Sequence, residues 1–146
     1  MSIGIDELFD MLSWNSDAET QKKGIELAKD IECFSVFLQP RSFKHSKDVW
    51  GNCAKILYDY PDEKLQYCVP EMLEWLEDMN WPGAELVLER LIKMKDISFL
   101  SSFLTVCVKE ALILDNQSWL GNMAALLEND DLKNELPKDI RKVLEA

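Results

Sequence analysis

The stretch EWLEDMNWPGAEL, Glu74 to Leu86, decides how the rest of the chain is read. It carries two tryptophans, a proline and a glycine among acids, and it separates two segments of helical periodicity. Before it, PEMLEWLEDM (residues 70–79) places Met72, Leu73, Trp75, Leu76 and Met79 at the spacing of a buried helix face, with Pro70 at the first helical position. After it, Ala84, Val87, Leu88, Leu91 and Ile92 form a second apolar face. Between them, Asn80 tolerates the left-handed conformation that ends many helices. Trp81 is pushed out of the helical region by the proline that follows, and Pro82 suits the first position of the next helix. The spacing therefore predicts a helix stop, a bend and a helix start, with Gly83 early in the second helix permitting close backbone approach.

The same pattern continues outward. IDELFDML puts Ile5, Leu8, Phe9 and Leu12 on one face. Ser16, with Glu19 three residues on, reads as a capping box for a second helix to about Asp30. Cys33 to Leu38 is a short helix or an extended piece stopped by Pro40, and residues 39–45 read as a loop. Ser46 can cap a helix through Asp59 with Val49, Trp50, Cys53, Ile56 and Leu57 inward. Asp96 can cap a long helix to Leu114, and another runs from about Asn116 to Leu127. ENDDLKNELPKD (residues 128–139) reads as a polar connection before a last helix carrying Ile140, Val143 and Leu144. No segment has convincing strand periodicity. The expectation is one all-α domain over residues 1–146, with about seven to nine helices in consecutive antiparallel pairs. Such pairs stack into a HEAT-like α-solenoid, and a compact helical bundle is the alternative.

Composition narrows the function classes. The chain has 146 residues, 27 acids and 16 bases, for a formal net charge of -11. Nucleic acid and anionic membranes are poor partners for such a charge, whereas a basic protein is a reasonable one. The residues from Asp59 to Glu89 hold nine of the acids and one base, Lys64, so the imbalance is concentrated. Cys33, Cys53, Cys68 and Cys107 are too scattered for a C-x-x-C site and sit in apolar surroundings, which reads as buried free thiols. The first residues carry acids where a secretory signal needs positive charge, and no run of about twenty apolar residues occurs. A cytoplasmic protein is expected.

NCAKIL (Asn52–Leu57) followed by VPEMLEWLEDMNWPGAELVLERL (Val69–Leu91) resembles a bacterial domain-of-unknown-function family, the one numbered 5071. Its signature, L-x-W-L-x-D-x-N-W-P-x-A, is met by Leu73, Trp75, Leu76, Asp78, Asn80, Trp81, Pro82 and Ala84. The resemblance covers about forty residues closely. It implies a small helical, HEAT-like protein and no activity. In size, acidity and helical class the chain also resembles immunity proteins that neutralise bacterial toxins.

Little in the sequence points to catalysis. His45 is the single histidine, in the basic loop RSFKHSKD, with no nucleophile motif to accompany it. No catalytic, cofactor or metal residues are assigned. Glu74, Glu77 and Asp78 fall at i, i+3 and i+4, with Glu71 a turn earlier, so on a continuous helix they share a face. That face is solvated, docks a basic partner, or is a metal or acid–base site. Trp50, Trp75 and Trp119 belong to apolar stripes and are expected in the core. Trp14 and Trp81 pack beneath turns or act as partly exposed interface anchors. The leading expectation is a non-enzymatic protein-binding module with Glu71, Glu74, Glu77, Asp78 and Trp81 in its docking surface and a basic toxin as partner. The alternative is a carboxylate- or metal-dependent hydrolase.

Overall fold

The computed structural model describes residues 3–146, and among them no strand is formed. In chain order the α-helices are α1 (Ile5–Leu12), α2 (Ala18–Ala28), α3 (Lys47–Tyr58), α4 (Asp62–Leu65), α5 (Val69–Trp75), α6 (Ala84–Ile92), α7 (Ile97–Ile113), α8 (Gln117–Ala124), α9 (Asp130–Glu135) and α10 (Lys138–Glu145). A 3-10 turn, Gln66–Cys68, joins α4 to α5, so the described residues hold nine separate helices. Further 3-10 turns span Phe34–Phe37 and Ala125–Glu128. No helix among the described residues is long and apolar enough to cross a membrane.

The helices pack on neighbours close in sequence. Helices α1 and α2 form a hairpin, and α3 lies against both. Gly83, just before α6, meets Trp50 and Ala54 near the start of α3. Arg90, near the end of α6, donates to the Tyr58 and Tyr60 carbonyls at the end of α3. Helices α3 and α6 therefore run in the same direction. So do α5 and α7: the Tyr67 ring, before α5, meets Phe99 at the start of α7, and Glu77, beyond α5, feels the charge of Glu110 near the end of α7. The result is two layers, with α3 and α6 in one and α5 and α7 in the other. One connected cluster of buried side chains runs through them from Leu8 to Leu144.

Three tryptophans fasten this arrangement. Trp50, Trp75 and Trp119 are buried, as their stripes predict. Each indole N–H donates to a carbonyl that no helix uses or that ends one: Trp50 to Pro40 (2.8 Å), Trp75 to Pro82 (3.1 Å) and Trp119 to Leu73 (2.9 Å). A buried indole must find such a partner, and here that need fixes the loops relative to the helices. The Asn122 amide likewise donates to the Leu76 carbonyl at 2.7 Å. Helix α8 thus supplies donors to the Leu73 carbonyl in the last turn of α5 and to the Leu76 carbonyl just beyond it.

The 74–86 corner differs from expectation. Helix α5 ends at Trp75, and residues 76–83 form successive turns. Asp78 Oδ1 accepts the Asn80 N–H at 2.8 Å and the Asp78 carbonyl accepts the Trp81 N–H at 3.1 Å. Asn80 is not left-handed. That conformation falls on Gly83 (φ 85°), which precedes Ala84 as the N-cap, so Pro82 stands outside α6. Glycine takes this role because the site has neither backbone freedom nor space for any other residue.

Two other boundaries move, and one burial expectation changes. Asp17, not Ser16, caps α2 by accepting the Thr20 N–H at 2.8 Å, while Ser16 Oγ donates to the Asp10 carbonyl at 2.7 Å. The polar connection at 128–139 contains α9, whose Asn129 cap accepts the Leu132 N–H at 3.1 Å and which buries Leu132. Leu132 and Leu136 at i, i+4 were the signal for it. Cys33 is exposed, whereas Cys53, Cys68 and Cys107 are buried.

Candidate functional site

Burial of Met72, Leu73, Trp75 and Leu76 leaves Glu71 and Glu74 on the outer side of α5. Glu77 follows on the same side, because its N–H still bonds the Glu74 carbonyl at 3.0 Å. Helix α7 brings Glu110 to the same place. Burial, then Glu71, Glu77 and Glu110, raise the pKa of Glu74, and burial and Glu110 raise that of Glu77. The Cys107 thiol beneath them is pushed up to about 12, by burial first and then by Glu110, Glu74 and Glu77. Among the described residues, no ion pair involves these four acids. The Asn116 amide, donating to Glu77 Oε1 at 3.4 Å, is a weak neutral contact. The edge is therefore a set of like charges that repel one another.

Glu71, Glu74 and Glu77 thus come together as the helical spacing suggests, and Glu110 joins them from a part of the chain that sequence spacing cannot connect. Asp78, next in the chain, is engaged locally, its Oδ1 accepting the Asn80 N–H at 2.8 Å. Trp81 lies elsewhere. It is half-buried, its ring meets Trp50 edge-on at 5.8 Å, and it lines an open depression of about 580 Å³ with Lys55, Met79, Leu86 and Glu89. The acidic edge and Trp81 are separate neighbourhoods rather than one surface. Trp14 is 59% exposed and does not pack beneath its turn.

His45 departs most from expectation. Its side chain is only 10% exposed, and both ring nitrogens reach carboxylates: Nδ1 to Asp48 Oδ2 and Nε2 to Asp10 Oδ1, each at 2.7 Å. Lys44 adds a pair to Asp10 at 3.2 Å. With both nitrogens engaged, neither is free to serve a nucleophile, so the group reads as a junction between α1 and the start of α3. Burial opposes charge on the ring, but Asp10 and Asp48 outweigh it and raise the His45 pKa. Asp10, chiefly through its bond to His45, is lowered; Asp48 is lowered by His45 and the Ser46 N–H against the opposing effect of burial.

A pH dependence follows. The His45 contribution is full below the unfolded histidine value of about 6.5 and is lost as pH rises through the raised folded value. The carboxylate contributions are present above about 3.9 and are lost as pH falls through the depressed values. Urea unfolding at about pH 6 and about pH 8.5 should show the protein losing stability on the alkaline side. His45→Gln should flatten that loss, and an equal loss in both proteins would remove His45 as its source.

Among the described residues, no three His, Cys, Asp or Glu side chains are arranged to hold a metal ion. The model of a domain of unknown function, DUF5071, matches residues 44–145, which extends well beyond the corner signature to take in α3 through α10. No curated protein and no solved structure matches the chain significantly.

Proposed function

The chain belongs to the family of the domain of unknown function DUF5071, and we propose that it is a non-enzymatic protein-binding module whose acidic edge captures a basic protein. The observation that carries this reading is the convergence of Glu74, Glu77 and Glu110 without a cation. The raised pKa values of Glu74 and Glu77 mean that the folded state holds these two carboxylates at a cost, which a partner's lysines or arginines would relieve. The two layers of same-direction helices support a short HEAT-like stack, an architecture that presents long side surfaces to partners. Neutralisation of a basic toxin, in the manner of an immunity protein, is the role we favour. A hydrolase built on these acids would need a base or a metal beside them, and among the described residues no metal-binding cluster forms.

The test is charge reversal. Glu71→Lys, Glu74→Lys and Glu77→Lys together should leave the helical circular dichroism spectrum intact. They should weaken binding to a basic partner, sought first among the products of adjacent genes, by at least about ten-fold at low salt. Unchanged affinity would remove the acidic edge from the interface. Tight calorimetric binding of a divalent ion with no protein partner would favour the hydrolase. In the free protein, Glu74→Gln or Glu77→Gln should raise stability by about 0.2–0.5 kcal/mol, the scale of relief of a like-charge helix pair. Thermal melts at neutral pH measure this, and a loss of stability would show that these acids hold the fold together.

A further inference from the structure

Helix α7 carries a second row of apolar residues beside its core side, while Ser98, Ser102 and Lys109 face solvent. Its core side holds Leu100, Leu104, Cys107, Val108 and Ala111. About a third of a turn from that side Phe99, Phe103, Val106, Glu110 and Ile113 recur at alternating spacings of four and three, which at about 100° per residue makes one straight stripe. Val106 is 59% and Ile113 84% exposed. The Phe99 ring packs on Tyr67 at 5.8 Å and on Phe103 at 6.2 Å, and Tyr67 is itself exposed. A shallow, almost wholly apolar depression of about 230 Å³ lies at Phe99 and Phe103. Phe99 and Phe103 are half-buried, and Val106 and Ile113 lie open to solvent.

The two borders of the stripe differ. The α5 border carries Glu74 and Glu77, and Glu110 stands within the stripe itself. The other border carries Ser98, Ser102 and Lys109. A second copy of the chain fits poorly, because pairing two α7 stripes would bring two sets of these acids into one interface, each copy bearing a net charge of -11. An anionic membrane is repelled by the same acids.

We infer that the α7 stripe is a docking track for a basic amphipathic helix, whose apolar face lies on Phe99, Phe103, Val106 and Ile113 and whose lysines or arginines meet Glu74, Glu77 and Glu110. This deepens the proposed function and rests on it, since the acidic edge is shared. Helix α7 has 17 residues and spans about 25 Å, so the matching segment has about four to five turns. Apolar anchors at i, i+3, i+4 and i+7 supply affinity, and charge on one flank sets its direction along the track.

The probe is a fluorescent designed peptide of about 18 residues, with leucines at those positions and lysines along one flank, read by anisotropy against the intact protein. A scrambled peptide of the same composition is the control. The amphipathic peptide should bind, gain helicity, and bind at least about ten-fold more tightly than the scramble. Val106→Ser with Ile113→Ser, at exposed positions where the fold does not need the side chains, should weaken it by about ten-fold with its salt dependence kept. Glu74→Lys with Glu77→Lys should weaken it and flatten the salt dependence.

If the serine pair binds normally while charge reversal abolishes binding, the track is wrong and the acidic docking edge stands. If neither changes binding, both readings fall. Equal binding of the scramble overturns the track. So does a dimer, seen by light scattering, that the serine pair dissociates, and so does flotation of the protein with neutral or anionic phospholipid vesicles.

Discussion

Gly83→Ala is expected to destabilise the protein by about 2–5 kcal/mol. Two independent effects add. The residue is left-handed at φ 85°, where a Cβ costs about 1–2 kcal/mol. That Cβ would also lie 2.7 Å from the Ala54 Cβ, 2.9 Å from the Trp50 carbonyl oxygen and 3.1 Å from Trp75 Cζ2, and overpacking of this kind costs about 1–3 kcal/mol. Two of the three obstacles are a helix backbone atom and the methyl of a buried alanine, so no flexible side chain can move aside. Gly121, in α8, is the control: nothing lies within 4 Å of a Cβ built there, and Gly121→Ala should stabilise by about 0.5–1 kcal/mol. Urea unfolding of both variants checks the argument. A Gly83→Ala loss below about 1 kcal/mol would mean that the α3–α6 contact is looser than described.

Arg90→Leu should cost about 3–5 kcal/mol, the scale for breaking a buried ion pair. Arg90 is 8% exposed. Its Nη2 donates to Asp62 Oδ1 at 2.5 Å and to the Tyr60 carbonyl at 3.0 Å, and its Nε donates to the Tyr58 carbonyl at 3.2 Å. Asp62 Oδ2 accepts the N–H groups of Lys95 and Asp96 at 2.7 and 3.1 Å. One pair therefore joins the end of α3, the start of α4, the end of α6 and the approach to α7. Leucine fills the volume but leaves a sheltered carboxylate and two carbonyls without their donor. Burial raises the Asp62 pKa, but Arg90 and the two backbone N–H groups outweigh it and leave it lowered. The pair is thus intact above the unfolded carboxylate value and is lost as pH falls through the folded one. Arg90→Leu should therefore flatten the loss of stability on acidification, and Asp62→Leu added to it should recover part of the loss at neutral pH. A loss under about 1 kcal/mol in denaturant titrations would place the pair with ordinary surface bridges.

The close approach at Gly83 was legible in the sequence, but its positive φ and the role of Arg90 were not, for one physical reason. A glycine beside a proline signals a turn, but which residue takes positive φ depends on what crowds it. Here the crowding comes from α3, some thirty residues earlier. Arg90 sits in α6 at a position that a solvated arginine could equally occupy. Its importance comes from three acceptors at 58–62 that only the packing of α6 on α3 presents. His45 is similar, since a loop histidine becomes a buried bridge only when α1 delivers Asp10 to it.

Periodicity by itself determined that the chain is helical, where most helices lie, and that Trp50, Trp75 and Trp119 are buried. These follow from local spacing, which the 3.6-residue repeat imposes whatever the neighbours are. The grouping of Glu71, Glu74 and Glu77 was legible for the same reason. Only the tertiary structure decided that Glu110 joins them, that Trp81 lines a different depression, and that α7 leaves Val106 and Ile113 exposed. Those outcomes depend on which helices lie side by side, and long-range packing leaves no period in the sequence from which to read it.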